Sequence, residues 1–241
     1  MSGRVLIPRL GDEPDAPFPP SSEALDEPNG LLAGGGDLSP QRLLNAYRRG
    51  IFPWYSEESP ILWWSPAPRC VIYPLNVYSS SRTRRRFNTG RYRLSVNQAF
   101  PEVIRACAEP RPGDNGTWIT PGMEQAYIDL HGMGHAHSLE VWTEGKLVGG
   151  IYGIAIGSAF FGESMFSGHT DGSKIALIAL CKLLTRARIG LLDCQVSNPH
   201  LIRMGAVEID RETFESELSR AVRGPDRFAE VAAAPEFEHR W

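Results

Sequence analysis

The chain has 241 residues, 42% of them hydrophobic and 22% charged, with a formal net charge of −3 at pH 7. That apolar content supports a real core, so wholesale disorder is excluded, and the mild acidity excludes a generic polybasic coat for nucleic acid. No apolar run approaches the ~18 residues of a membrane span, and the apolar stretch at 5–7 is too short for a signal peptide, so the expected compartment is the cytoplasm.

Residues 1–28 hold six prolines among many acids and read as extended chain. Gly34-Gly35-Gly36-Asp37 is expected to be a flexible turn, because no strand or lysine frames it as a phosphate cradle. Ser39-Pro40 opens a short helix with Leu43, Leu44 and Tyr47 on one face, and Gly50 ends it. Trp54, Trp63 and Trp64 then crowd between prolines, where rings can line a pocket or stack on a base, although a structural role is the default for at least one of them. Residues 70–73 read as a strand. Six arginines at 82, 84, 85, 86, 91 and 93, with no acid among them, form a candidate phosphate-binding patch; a solvated basic turn is the plain alternative.

A helix follows over 97–107. After the loop around Gly113 and Gly116, Thr120-Pro121 starts another, with Met123, Ala126, Tyr127 and Leu130 facing inward. Residues 138–142 and 147–156 form a β-hairpin around Glu144-Gly145, 158–166 a further strand, 174–187 an apolar helix and 191–196 the next strand. Strand, helix, strand predicts a parallel βαβ unit, and with the meander before it an α+β fold with a mixed, mainly antiparallel sheet. Four cysteines, at 70, 107, 181 and 194, make no CxxC pair, so neither a zinc ribbon nor a disulfide framework is expected. Gly132 and Gly134 interrupt His131, His135 and His137, and no acidic ligand stands near, so no metal site is expected either.

Two strands carry polar residues that burial alone does not explain. Strand alternation puts Asp193 and Gln195 on one face and Cys194 on the other. A carboxylate beside an amide can fix and polarise it, although a satisfied polar pair at a strand end is the commoner reason for such a pattern. Glu163 on the preceding strand makes a third polar group converging on the same cleft. The loop Gly168-His169-Thr170-Asp171-Gly172-Ser173-Lys174 lacks the Gly-Lys-Ser/Thr order of a nucleotide-hydrolysing loop.

Several segments together resemble the leucyl/phenylalanyl-tRNA–protein transferase family: Glu27-Pro28-Asn29-Gly30-Leu31-Leu32-Ala33, Gly35-Gly36-Asp37-Leu38-Ser39-Pro40, Tyr47-Arg48-Arg49-Gly50-Ile51-Phe52-Pro53-Trp54 and Trp63-Trp64-Ser65-Pro66. Farther on come Gly116-Thr117-Trp118-Ile119-Thr120, Gly134-His135-Ala136-His137-Ser138, Gly162-Glu163-Ser164-Met165-Phe166-Ser167 and Asp193-Cys194-Gln195. The resemblance implies a small N-terminal domain (1–66) and a GNAT-like acyltransferase domain (67–241). It implies a cytosolic bacterial enzyme that moves Leu or Phe, and less readily Met, from aminoacyl-tRNA to the N-terminal Arg or Lys of a protein. That addition creates an N-degron, and the reaction needs no cofactor. Residue by residue, it implies that Asp193 and Gln195 serve peptide-bond formation and that Glu163 is an active-site acid. Trp54 and Trp118 would lie near the terminal adenosine of the tRNA, with Tyr47 and Tyr127 close by. Ile151 and Phe160 would line the pocket for the transferred side chain.

The expected mechanism has Asp193 orienting Gln195, whose carbonyl accepts an N–H of the attacking amine, while the proton leaves through Asp193 or the ribose hydroxyl. Glu163 is expected to receive the cationic end of the acceptor, and Arg82, Arg84, Arg85 and Arg86 the tRNA phosphates. Two other readings compete: an acetyl-CoA-dependent N-acetyltransferase, whose Gly-rich pyrophosphate loop the segment 167–173 does not match, and a non-catalytic RNA-binding module, which leaves Glu163, Asp193 and Gln195 without work.

Overall fold

The computed structural model describes residues 7–110, 117–235, 237, 240 and 241. The loop expected around Gly113 and Gly116 lies outside them, as do most of the N-terminal residues considered for a signal. The first part contains β1 (Arg9–Leu10), β2 (Leu31–Gly35), α1 (Pro40–Tyr47), β3 (Phe52–Pro53) and β4 (Leu62–Trp64). The four strands make a small sheet in the order β1-β2-β4-β3. The Gly34–Gly36 run is therefore not simply a turn: Gly34 and Gly35 close a strand whose Leu32 and Ala33 are buried, and the bend comes at Gly35 and Gly36, at φ +84° and +74°. Helix α1 starts where the cap residues place it, with the Ser39 hydroxyl accepting the N–H of Arg42 and Pro40 in the first turn. Arg42, fully buried, ties this region to the N-terminal segment through Asp37 and the carbonyls of Gly11 and Glu13.

The second part contains β5 (Arg69–Ile72), α2 (Ser81–Phe87), β6 (Arg93–Val96), α3 (Phe100–Ala108), α4 (Pro121–Gly132), β7 (Ala136–Thr143), β8 (Lys146–Ile156) and β9 (Ala159–Ser167). It continues with α5 (Gly172–Arg186), β10 (Leu191–Asp193), α6 (Pro199–Arg203), β11 (Val207–Ile209), α7 (Arg211–Ala221) and α8 (Phe228–Ala233). Among the described residues its seven strands run in the order β11-β5-β10-β9-β8-β7-β6, and β9 with β10 is the parallel pair. The fold is thus mixed α+β, with α5 as the βαβ crossover. Helix α5 buries nearly every residue from Ile175 to Leu184 against one face of the sheet, as its continuous apolar run requires. On the other face α3 and α4 complete a core that continues without a break into α1 and the small sheet.

Two irregularities in this sheet matter for the site. Strands β8 and β9 pair Tyr152 with Ser164 but Gly153 with Gly162, so Glu163 is the extra residue of a β-bulge. The other is that β10 ends at Asp193, earlier than the strand expected over 191–196. Cys194 donates its N–H to the Cys70 carbonyl, Cys70 donates to the Gln195 carbonyl, and Gln195 has φ +57°. Two residues thus face one across the ladder, and the N–H of Val196 closes a tight turn on the Cys194 carbonyl at 2.7 Å.

The bulge at Glu163 brings the backbone of β9 against β8 at Gly153, where a Cβ would lie 2.0 Å from the Phe161 carbonyl oxygen. Gly153→Ala is expected to destabilise the protein by about 3 kcal/mol, read from urea unfolding, as an overpacked site whose obstacle is backbone.

Candidate active site

A cavity of about 860 Å³ opens between the ends of β9 and β10. Trp54, Trp118, Ile151, Glu163 and Gln195 are among its walls. Glu163 occupies the centre of a hydrogen-bond network built from four elements. Its Oε2 accepts from the Tyr127 hydroxyl at 2.7 Å, and Tyr127 shares a 2.5 Å hydrogen bond with Tyr47. Its Oε1 accepts from Nε2 of Gln195 at 3.1 Å. Tyr47 and Tyr127 are buried behind the carboxylate and are not wall residues; they act on the cavity only through Glu163. Burial among these rings raises the Glu163 carboxyl to about 7, reinforced by the charge of Asp193 and opposed by the phenol hydrogen bonds and by Arg69.

Asp193 has a different position from the one expected. It is fully buried, does not border the cavity, and accepts both ends of the Arg69 guanidinium at 2.8 and 2.7 Å. Its contact with Gln195 is through the backbone: the Gln195 N–H donates to Asp193 Oδ1 at 3.0 Å. The expectation that the two side chains share a strand face fails because the strand stops at Asp193 and the left-handed backbone of Gln195 turns its side chain to Glu163. Glu163 therefore orients the amide, and Asp193 holds the turn.

Arg69 is the residue that sequence reasoning missed. Its guanidinium lies between the rings of Phe52 and Phe214, at 5.0 and 4.5 Å. The available signal was a lone arginine heading the apolar strand Cys70-Val71-Ile72, matched by a lone carboxylate inside Leu191-Leu192-Asp193. Of the remaining expected residues, Phe160 is buried behind the cavity wall, packed on Phe228 with ring centroids 5.2 Å apart. Trp63 is core and Trp64 braces the Trp54 carbonyl through Nε1, so Trp54 alone of the three reaches the cavity. Arg82, Arg84 and Arg85 are exposed on α2, whereas Arg86 turns inward to Asp171 at 2.9 Å. Asp171 lies between Gly168 and Ser173, which border the cavity, so the basic helix is fastened to its rim.

Cys194 borders the cavity, but its hydrogen bond with Cys70 and its burial push the thiol well up, which keeps it protonated. Among the described residues no group of three or more His, Cys, Asp or Glu is placed to hold a metal ion. His131 stacks on Phe100 at 4.3 Å, and His137, held by Asn97 at 3.0 Å, is lowered to about 4 by burial.

The family model described as "Leucyl/phenylalanyl-tRNA protein transferase" matches residues 71–219, and that of the corresponding N-terminal domain matches 36–67. The chain belongs to the leucyl/phenylalanyl-tRNA–protein transferase family. A transferase of that name from Xanthomonas campestris is 54% identical over 224 residues, 92% of this chain and 90% of its own length. One from Aromatoleum aromaticum is 50% identical over 232 residues, covering 95% and 97%. Among solved structures, L-PGS from Bacillus licheniformis aligns with 69% of this chain and 53% of its own, at 11% identity and a TM-score of 0.37. The cavity, with Glu163 and Gln195 at its inner end, is the candidate active site of this family member.

Two substitutions test the geometry. Arg69→Met leaves the buried Asp193 carboxylate without its cation and is expected to cost about 3–5 kcal/mol in urea unfolding. Glu163→Gln tests the raised carboxyl. The folded state holds that proton more tightly than the unfolded chain, whose value is 4.5, so the associated stability is complete below 4.5 and is lost as pH rises through about 7. The Tm difference between Glu163→Gln and wild type is expected to shift in favour of the variant between pH 5 and pH 8.

Proposed function

We propose that this protein moves leucine or phenylalanine, and methionine less readily, from aminoacyl-tRNA in the cytoplasm to the N-terminal arginine or lysine of acceptor proteins, creating an N-degron. The observation that carries this reading to particular residues is the Glu163–Gln195 contact in a cavity that Glu163, Gln195, Trp54 and Trp118 border. We take 1–66 as a small N-terminal domain and 67–241 as a GNAT-like domain. A parallel strand pair that opens within a mainly antiparallel sheet supports the second assignment.

The aminoacyl ester is already activated, so the enzyme's task is to hold an amine against an ester carbonyl. Such positioning alone supplies several kcal/mol, about 7–11 in the best cases. Because the Gln195 amide N–H is committed to Glu163, its carbonyl oxygen is left to accept an N–H of the attacking amine and align the lone pair. The C–N bond forms as the C–O bond to the ribose breaks. The amine proton ends on the ribose oxygen, with Glu163 the group positioned to hold it in between, its carboxyl near neutrality as proton exchange at pH 7 requires. Glu163 also offers the negative charge for a cationic first residue. Trp54, 45% exposed, and Trp118 offer ring faces to the terminal adenosine, and Ile151 an apolar surface to the transferred side chain. Arg82, Arg84 and Arg85, exposed on α2, contact tRNA phosphates without reading sequence.

Purified protein with Leu-tRNA and an Arg-starting peptide is expected to form the Leu-Arg product, and with acetyl-CoA as donor to form none; the reverse would establish the acetyltransferase reading, and tRNA binding without either product the RNA-binding module. Gln195→Ala is expected to lower kcat roughly 10²-fold with the Kd for Leu-tRNA unchanged. Arg82→Ala/Arg84→Ala/Arg85→Ala is expected to weaken tRNA binding and flatten its salt dependence by about one unit of log–log slope for each phosphate no longer neutralised.

A further inference from the structure

The cavity is bordered by every residue from 162 to 168 on one side and from 194 to 198 on the other. Side chains of a strand alternate between its two faces, so a strand contributes consecutive residues to one cavity only by turning its main-chain edge toward it. The sheet pairing agrees. Strand β9 has β8 along one edge as far as Ser167, but β10 along the other only from Ala159 to Phe161. Beyond Phe161 that second edge has no strand beside it among the described residues, because β10 has ended in the turn at Gln195. The cavity is the gap where the next strand would be.

The geometry points to an acceptor polypeptide that docks here as a strand, parallel to β9, with its N-terminal amine at the inner end beside Glu163 and Gln195. This rests on the transferase reading and names how the acceptor is held. The direction follows from the sheet, since the gap narrows toward Asp193 and widens along β9, and only a chain running the same way as β9 puts its N-terminus at the narrow end. The occupant follows from the chemistry of the edge. A row of N–H and C=O groups is complemented by another peptide backbone. An aminoacyl-adenosine has a single ester and no such repeat, and it suits the tryptophan and Ile151 surfaces instead. Main-chain recognition also fits an enzyme whose acceptors share their first residue and little else. At ~3.3 Å per residue, the edge at 162–167 accommodates about five acceptor residues.

The test is a backbone scan. The pentapeptide Arg-Ala-Ala-Ala-Ala is prepared with one N-methyl group at residue 2, 3, 4 or 5, and kcat and KM are measured with Leu-tRNA. In strand pairing alternate N–H groups point to the partner, so methylation is expected to raise KM about tenfold at alternate positions, with little change at those between. Equal KM values at all four positions, or an effect confined to residue 2, would overturn the proposal. If the unmodified peptide accepts no leucine, the transferase reading itself fails. A second readout does not need transfer: hydrogen exchange at 162–167 is expected to slow on addition of the unmodified peptide, and unchanged exchange at saturation counts against strand docking.

Discussion

A guanidinium and a carboxylate removed from water each lose several kcal/mol of hydration before they attract one another. Arg69 and Asp193 bear that cost in full, both being essentially without exposure. The offset is geometric. The two groups meet at both ends, two phenyl rings cover the guanidinium, and the backbone N–H of Gln195 adds a further hydrogen bond to the carboxylate. The pair joins the first residue of β5 to the last of β10 and so braces the place at which β10 stops. Without that stop β10 would continue along β9, the two edges would satisfy each other, and the sheet would have no opening.

The opening then acquires chemistry because each of its walls has a residue too many. An unbroken ladder would send Glu163 and Gln195 to faces set by strict alternation. The bulge at Glu163 and the left-handed turn at Gln195 release both from that rule, and the two side chains meet at 3.1 Å. Each irregularity is held from behind. Gly153 leaves room for the displaced backbone of β9, and Asp193 secures the N–H of Gln195. Tyr47 and Tyr127 approach from α1 and α4, so the small N-terminal sheet and its helix take part in the acidity of a residue in the large sheet. The same burial that makes Glu163 costly to ionise places its titration near neutrality.

Features governed by local rules were legible in the sequence. The caps at Ser39 and Thr120, the hairpin at Glu144-Gly145 and the apolar crossover helix each depend on a few adjacent residues, and all are present. The convergence of Glu163 and Gln195 was legible in outline, because polar residues in buried strands need partners. What was not legible depends on departures from periodicity. Alternation predicts a shared face for Asp193 and Gln195 only if the strand continues, and nothing local marks the end at Asp193. The ionic partner of Asp193 lies 124 residues away, beyond the reach of pattern. Phe160, placed at the cavity by resemblance, lies in the stretch of β9 that pairs with β10, and strand alternation turns it to the core shared with α5.

The division of labour within the cavity follows from what each substrate can offer. A charged tRNA carries phosphates, a purine and one apolar side chain, and in the proposed function arginines on α2, indole rings and Ile151 are the groups that meet them. The acceptor offers a cationic first residue and then a backbone common to all proteins. A single carboxylate suits the first and a strand edge the second. Placing that carboxylate in a bulge on the same strand as the edge joins the two recognitions mechanically. If the acceptor docks as proposed, the backbone that holds it in register also carries the group that reads its first residue, so alignment and selection are set by one element. The proton equilibrium of Glu163 adds a further condition. A cation entering beside it favours the ionised form, whereas an uncharged first residue leaves the carboxyl free to remain protonated, with less attraction for the incoming amine. On the proposed function, selection of arginine or lysine then needs no pocket shaped to either side chain.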